Sequence, residues 1–131
     1  MMMVKTKLKK SPIHGFGIFA DQNIKKGDVV WKYNPIIDKK ITPKEYKSLP
    51  LLAQKYIDKY GFKDHDKMWV MCGDDARFFN HSIKPSCKED GVENERDNIT
   101  TAARDIKKGE ELTSNYNHFD YPKMKEKLKK K

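Results

Sequence analysis

Asp75–Cys87 reads DARFFNHSIKPSC, and further along the same chain Gly109–Tyr116 reads GEELTSNY. In the first stretch two phenylalanines stand directly before Asn-His-Ser, so an apolar anchor delivers a short polar loop whose backbone groups can face a ligand. In the second, Leu112 and Tyr116 bracket small and polar residues at the end of an expected strand, which aims a phenol hydroxyl at whatever the first loop holds. A third stretch, Ser11–Ala20 or SPIHGFGIFA, opens a turn into a strand, and Gly15 and Gly17 leave its backbone bare enough for close approach by a ligand. Each stretch alone has an ordinary structural explanation. Asn and His form turns readily, a GxG is often a plain tight turn, and a strand-end Tyr is usually amphipathic packing.

Together and in this order, from about Lys9 to about Asp120, the three stretches resemble the motifs of SET-domain protein lysine methyltransferases. Arg77-Phe78-Phe79-Asn80-His81-Ser82 is similar to the family's Arg-Phe-x-Asn-His-Ser, and Gly109–Tyr116 to its Gly-Glu-Glu-Leu-Thr-x-Asp-Tyr. The resemblance implies a mainly β fold with one or two short helices, a β-clip-like set of small sheets and a threaded, knot-like C-terminal segment. It implies methyl transfer from S-adenosylmethionine to a lysine side chain of a protein, a histone or another. Cofactor contacts are implied at His14, Gly15, Phe16 and Gly17 through backbone, and at Arg77, Asn80 and His81, with the Asn80 side chain fixing the amino-acid end. Tyr116 is implied as the catalytic residue and Tyr33 and Ser114 as substrate-pocket residues; our own candidates for an aromatic lid that closes the cofactor site are Phe119 and Tyr121, in HFDYP. The small Ser114 leaves room for more than one methyl group.

The chain departs from the family pattern at three places. Tyr33-Asn34-Pro35 has Pro where the family has Gly, which fixes φ and removes an N–H at the strand exit. Ile83-Lys84-Pro85-Ser86 lacks one Cys and one Asn, and Asn115 replaces Asp. Since no Cys follows Cys87, no zinc module is expected, no metal is assigned, and Cys72 and Cys87 are expected to be free thiols.

With 131 residues, 37% of them hydrophobic, the chain can bury one core. We expect a single domain over residues 1–121, with a helical insert at about 43–61, and a basic, disordered tail over 122–131. Lys123–Lys131 holds six Lys and one Glu, so this tail supplies +5 of the +9 net charge. Lysine without Arg or aromatics gives charge but no reading of bases, so weak nucleic-acid contact is expected there at most. The alternative function is a non-catalytic SET-like module that binds nucleic acid or chromatin through this tail. Glu89, Asp90, Glu93 and Glu95 offer acidic contacts to a basic peptide substrate. No apolar run approaches the ~20 residues of a membrane span, and the start lacks a secretory apolar region. The expected location is cytoplasmic or nuclear, a host nucleus included, without secretion or membrane contact; homodimerisation is left open.

Element by element, Val4–Lys9 alternates weakly, as a first strand would, before Ser11-Pro12 breaks it. Val29–Tyr33 is of strand type, with Val29, Trp31 and Tyr33 expected on one face and Val30, Lys32 and Asn34 on the other. Thr42-Pro43-Lys44-Glu45 predicts a capped helix start, and Pro50 interrupts the helical stretch. Leu52, Tyr56 and Tyr60, with Ala53 and Ile57, predict an apolar packing stripe that Gly61 ends. Met68–Cys72 and Asp97–Ala103 predict two further strands.

Overall fold

The computed structural model describes residues 1–64, 66–89 and 99–115. The strands in chain order are β1 (Thr6–Lys10), β2 (Phe16–Ala20), β3 (Val29–Lys32), β4 (Lys39–Ile41), β5 (Phe62–Lys63), β6 (Trp69–Met71), β7 (Asn80–His81), β8 (Cys87–Glu89), β9 (Ile99–Ala102) and β10 (Thr113–Ser114). Helices α1 (Pro43–Ser48) and α2 (Leu51–Tyr60) lie between β4 and β5, and a 3₁₀ turn, Asp75–Phe78, precedes β7. The strands form four small sheets: β1 with β2, β7 with β10, β3-β9-β8 and β4-β6-β5. The expected mainly β architecture with short helices is therefore the one observed.

Two apolar clusters divide the interior. Ile18, Ala20, Ile24, Val30, Cys87, Ala102, Ile106 and Leu112 form one; Trp31, Val70, Cys72 and Ala76 form the other. Phe79 packs against both, so the residue directly before Asn80 is clamped between the two halves of the interior. This is the apolar anchor expected for the Asn-His-Ser segment, and it fixes where that segment emerges.

The alternation expected for β3 is not what forms. Pairing shifts by one residue between Val29, which faces Thr101, and Trp31, which faces Thr100. A bulge of this kind lets consecutive residues both turn inward. Val30 enters the first cluster and Trp31 the second, while Val29 stays exposed, so Val29 and Trp31 share no buried face.

The helix start is as the sequence predicts. Thr42 accepts from the Glu45 N–H at 3.0 Å, the Glu45 carboxylate accepts from the Thr42 N–H at 2.9 Å, and Pro43 opens α1. The bond from the Thr42 N–H, foremost, and the Thr42 side chain hold the Glu45 carboxyl below its ordinary range. α2 departs from expectation, because of the predicted stripe only Ile57 is buried. Leu52 is 82% exposed and Tyr56 44%, since a short helix laid over a three-stranded sheet touches it along one narrow line. Tyr60 does pack, edge-on against Phe78 at 5.7 Å. A side chain at Gly61 would press on the Ile57 carbonyl and the Met71 sulfur, so the chain can leave α2 for β5 only over a bare residue.

Candidate functional site

The three sequence stretches meet around one carboxylate. Residues 109–112 lie first along β2: the Gly109 N–H donates to the Ala20 carbonyl at 2.8 Å, the Leu112 N–H to the Ile18 carbonyl at 2.8 Å, and Glu111 bridges Phe19. The chain then continues as β10 alongside β7 in parallel, with Thr113 opposite Asn80 and Ser114 opposite His81. Parallel neighbours need a long connection between them, so a stretch late in the chain is laid across two earlier ones. That crossing is how motifs remote in sequence reach one place.

Glu111 sits at the crossing. Its Oε1 accepts from Ser11 Oγ at 2.8 Å and its Oε2 from Asn80 Nδ2 at 2.9 Å. Asn80 Nδ2 also donates to the carbonyls of His14 and Phe16, each at 3.1 Å. Ser11 Oγ accepts from the Ile13 N–H at 3.0 Å, and the Ser11 N–H donates to the Gly15 carbonyl at 2.7 Å. The loop is thus closed on itself and tied from beneath to both other motifs. Gly17 is required by this packing, because a Cβ there would collide with Glu111 Oε2 and approach Asn80 Nδ2 to 2.9 Å. Gly15 has a different reason: its φ is +47°, with open space where a side chain would stand.

The Asn80 amide nitrogen is engaged by two carbonyls and a carboxylate of the protein, and Asn80 is 4% exposed. His14, Gly15 and Phe16 form the exposed side of the same loop, with Phe16 56% exposed, and His81 is half-buried beside them in β7. An exposed ring and backbone, shaped from below by a buried amide, suit a ligand with a planar base and polar arms.

Ser86 supplies a second tie that sequence reasoning missed. It is 1% exposed; its Oγ donates to the Glu111 carbonyl and accepts from the Thr113 N–H, both at 3.0 Å, and its own N–H donates to Thr113 Oγ1 at 3.0 Å. It stands where the family pattern has Asn, so a hydroxyl occupies the linking position. The signal available in the sequence was a small polar residue directly after Pro85 in place of the missing Asn. Cys87 beside it fills the first cluster, and burial pushes its thiol up to about 11. Both cysteines are free and buried.

A pocket opens next to β10, lined by Ser114, Trp31, Phe79, Thr100 and Glu89, with Tyr60, Phe62, Lys59, Cys72, Ala76 and Arg77 completing it. The buried indole N–H of Trp31 has no hydrogen-bond partner among the described residues. Ser114 is part of this lining. Tyr33 is absent from that lining; it packs against the second cluster with Lys40 Nζ 5.0 Å from its ring centre. Arg77 is directed at other groups: its Nη1 donates to the Tyr56 hydroxyl at 2.5 Å and its Nε to the Asp74 carbonyl at 3.4 Å. Tyr116, Phe119, Tyr121, the acidic residues Asp90, Glu93 and Glu95, and the tail over 122–131 lie outside the described residues. Among the described residues no cluster of metal-ligating side chains occurs, and no helix is long and apolar enough to cross a membrane.

A family model described as "SET domain" matches residues 15–117. Histone-lysine N-methyltransferase 2B of Homo sapiens is 37% identical over 113 residues, which cover 82% of this chain and 4% of that protein. The H3 lysine-4 specific histone-lysine N-methyltransferase of Schizosaccharomyces pombe is 37% identical over 112 residues, covering 81% of this chain and 12% of that protein. Among solved structures, Chaetomium thermophilum Polycomb Repressive Complex 2, in an autoinhibited conformation bound to S-adenosylmethionine, matches with a TM-score of 0.67 at 25% identity, over 97% of this chain and 17% of that chain. The chain thus spans a small part of the length of each protein it is similar to.

Proposed function

This chain belongs to the SET-domain family, and on that premise we propose that it is a protein-lysine N-methyltransferase that uses S-adenosylmethionine. The observation that carries the reading is the crossing of β7 and β10, which sets Asn80-His81 beside Thr113-Ser114 and leads directly to Tyr116. The backbone of His14–Gly17 and of Asn80-His81 would hold the methyl donor, with Asn80 and Glu111 keeping the loop in shape from beneath. When bound, S-adenosylmethionine supplies a methyl group on a positively charged sulfur.

The rest of the chemistry falls to the protein. A lysine of pKa ~10.4 must be neutral to attack, which costs about 3 pK units or roughly 4 kcal/mol near neutral pH. A narrow pocket walled by Trp31, Phe79 and Tyr60 lowers that cost, because desolvation disfavours the ammonium. Tyr116, two residues beyond Ser114, would orient the amine, so positioning contributes most of the rate. The small Ser114 favours acceptance of more than one methyl group.

The similar proteins are named for histone substrates, and a histone-tail lysine is the substrate class we propose, which would place the protein with chromatin. The test is isothermal titration of S-adenosylmethionine followed by mass spectrometry of histone peptides incubated with the protein. Saturable binding and methylated lysine are expected, and Tyr116→Phe should lower the rate by about 100-fold or more with the fold retained. An unchanged rate in that variant would sink the role of Tyr116. Absence of cofactor binding in the parent protein would favour a nucleic-acid-binding module.

A further inference from the structure

Among the described residues that line the pocket beside β10, Glu89 is the only carboxylate; the others are rings, small groups and the cations Lys59 and Arg77. Glu89 ends β8 directly opposite Thr100 in β9, and the Thr100 hydroxyl donates to Glu89 Oε1 at 3.2 Å. Strand pairing and this bond hold the acid on the same lining as Ser114, two residues before Tyr116.

We propose that Glu89 reads the charge of the substrate lysine, receiving its ammonium head as the side chain enters the pocket. This rests on the methyltransferase reading above. An ammonium donating to a carboxylate makes a charge-assisted bond, which strengthens where rings such as Trp31 and Phe79 exclude water. The two cations of the lining are directed at other groups as well: Arg77 at the Tyr56 hydroxyl and the Asp74 carbonyl, and Lys59 over the Tyr60 ring, 5.1 Å from its centre. The remaining titratable groups of the lining are Tyr60 and Cys72, and burial holds Cys72 as the thiol. Among the described residues of the lining, the acid that an arriving amine meets is Glu89. Ser114 leaves room for the head of the side chain, and Glu89 selects its charge.

A consequence for pH follows from the sign of that attraction. The carboxylate favours the charged amine and so raises the pKa of the bound lysine, while methyl transfer needs the neutral form. Glu89→Gln therefore weakens capture but moves the rising limb of the kcat profile to lower pH.

The experiment measures kinetics against pH for the parent, Glu89→Gln and Glu89→Asp. Alongside, it measures binding of a lysine peptide and of its uncharged norleucine twin. For Glu89→Gln we expect KM for the lysine peptide to rise about tenfold or more, with the limb displaced to acid and norleucine binding unchanged; Glu89→Asp should keep part of the effect. The parent should bind lysine more tightly than norleucine, a comparison that decides the matter even where Glu89→Gln fails to fold. Equal binding of the two peptides by the parent, or parental KM and limb in a folded Glu89→Gln, overturns the role of Glu89 and leaves the methyltransferase reading intact. A parent that methylates no lysine peptide overturns both.

Discussion

Gly17 lies under the Glu111 carboxylate and the Asn80 amide with less space than any side chain needs. Gly17→Ala must displace Glu111, Asn80 or β2, so we expect a loss of about 1–3 kcal/mol in stability, as for overpacking, together with weaker S-adenosylmethionine binding. Urea unfolding and calorimetry would measure the two. Gly15→Ala meets no atom within 4 Å and strains only the backbone at φ +47°, so its cost should stay near 1 kcal/mol, and a loss as large as that of Gly17→Ala would contradict the packing argument. Cys87 gives a pH prediction at the same scale. Burial, first among the causes, raises its thiol from an ordinary 9.0 to about 11 in the folded chain. A raised pKa means the folded state binds more protons, so the stabilising contribution is complete below pH 9.0 and is lost as pH rises toward about 11. Cys87→Ser, measured by urea unfolding across that window, should flatten the alkaline loss.

At the scale of elements, the meeting of β7 and β10 depends on groups outside both strands. Each strand has two residues, too few for pairing alone to hold, and Ser86 ties the Glu111 carbonyl to the Thr113 N–H across the gap. Ser86→Ala leaves a buried donor and a buried acceptor without that partner, which should cost about 1–3 kcal/mol. An unfolding midpoint equal to that of the parent would show that the strands hold without it. Helices α1 and α2 make a different kind of element. The capping box fixes where α1 begins, yet α2 buries only Ile57 and presents Leu51 and Leu52 to solvent. The helical insert is thus placed by local signals at its ends more than by packing along its length.

For the whole molecule, most of the net charge sits in one stretch of the sequence. The nine residues Lys123–Lys131 carry +5 of the +9 net charge, and the described hydrogen bonds that tie the site run between Ser11, His14, Phe16, Asn80, Ser86, Glu111 and Thr113. Removing it should lower affinity for duplex DNA by about tenfold or more at low salt and flatten the salt dependence, while methyl transfer to a short peptide stays at the parental rate. A truncated protein that keeps its DNA affinity would move the nucleic-acid surface onto the rest of the chain.

Much of this protein was legible before its structure. The capped start of α1, the strand in Ile18–Ala20 and the family motifs at Arg77–Ser82 and Gly109–Tyr116 are local patterns, and such patterns are set by neighbours in sequence. Other features needed the tertiary structure, because they depend on which remote atoms come into contact. Alternation could not show the bulge in β3, since the partner β9 lies far along the chain. Helical periodicity could not show that Leu52 would be exposed, because a stripe marks a face without saying whether anything covers it. Asn80 was recognised by its motif, but only the fold shows its amide turned inward, to the carbonyls of His14 and Phe16 and to Glu111. Glu89 was one acid among several in the sequence, and pairing with β9 placed it in the pocket of Ser114. The sequence by itself determined the local elements and the chemical groups present; the crossing of β10 over β7 decided which of them face one another, because that contact joins residues separated by a long stretch of chain.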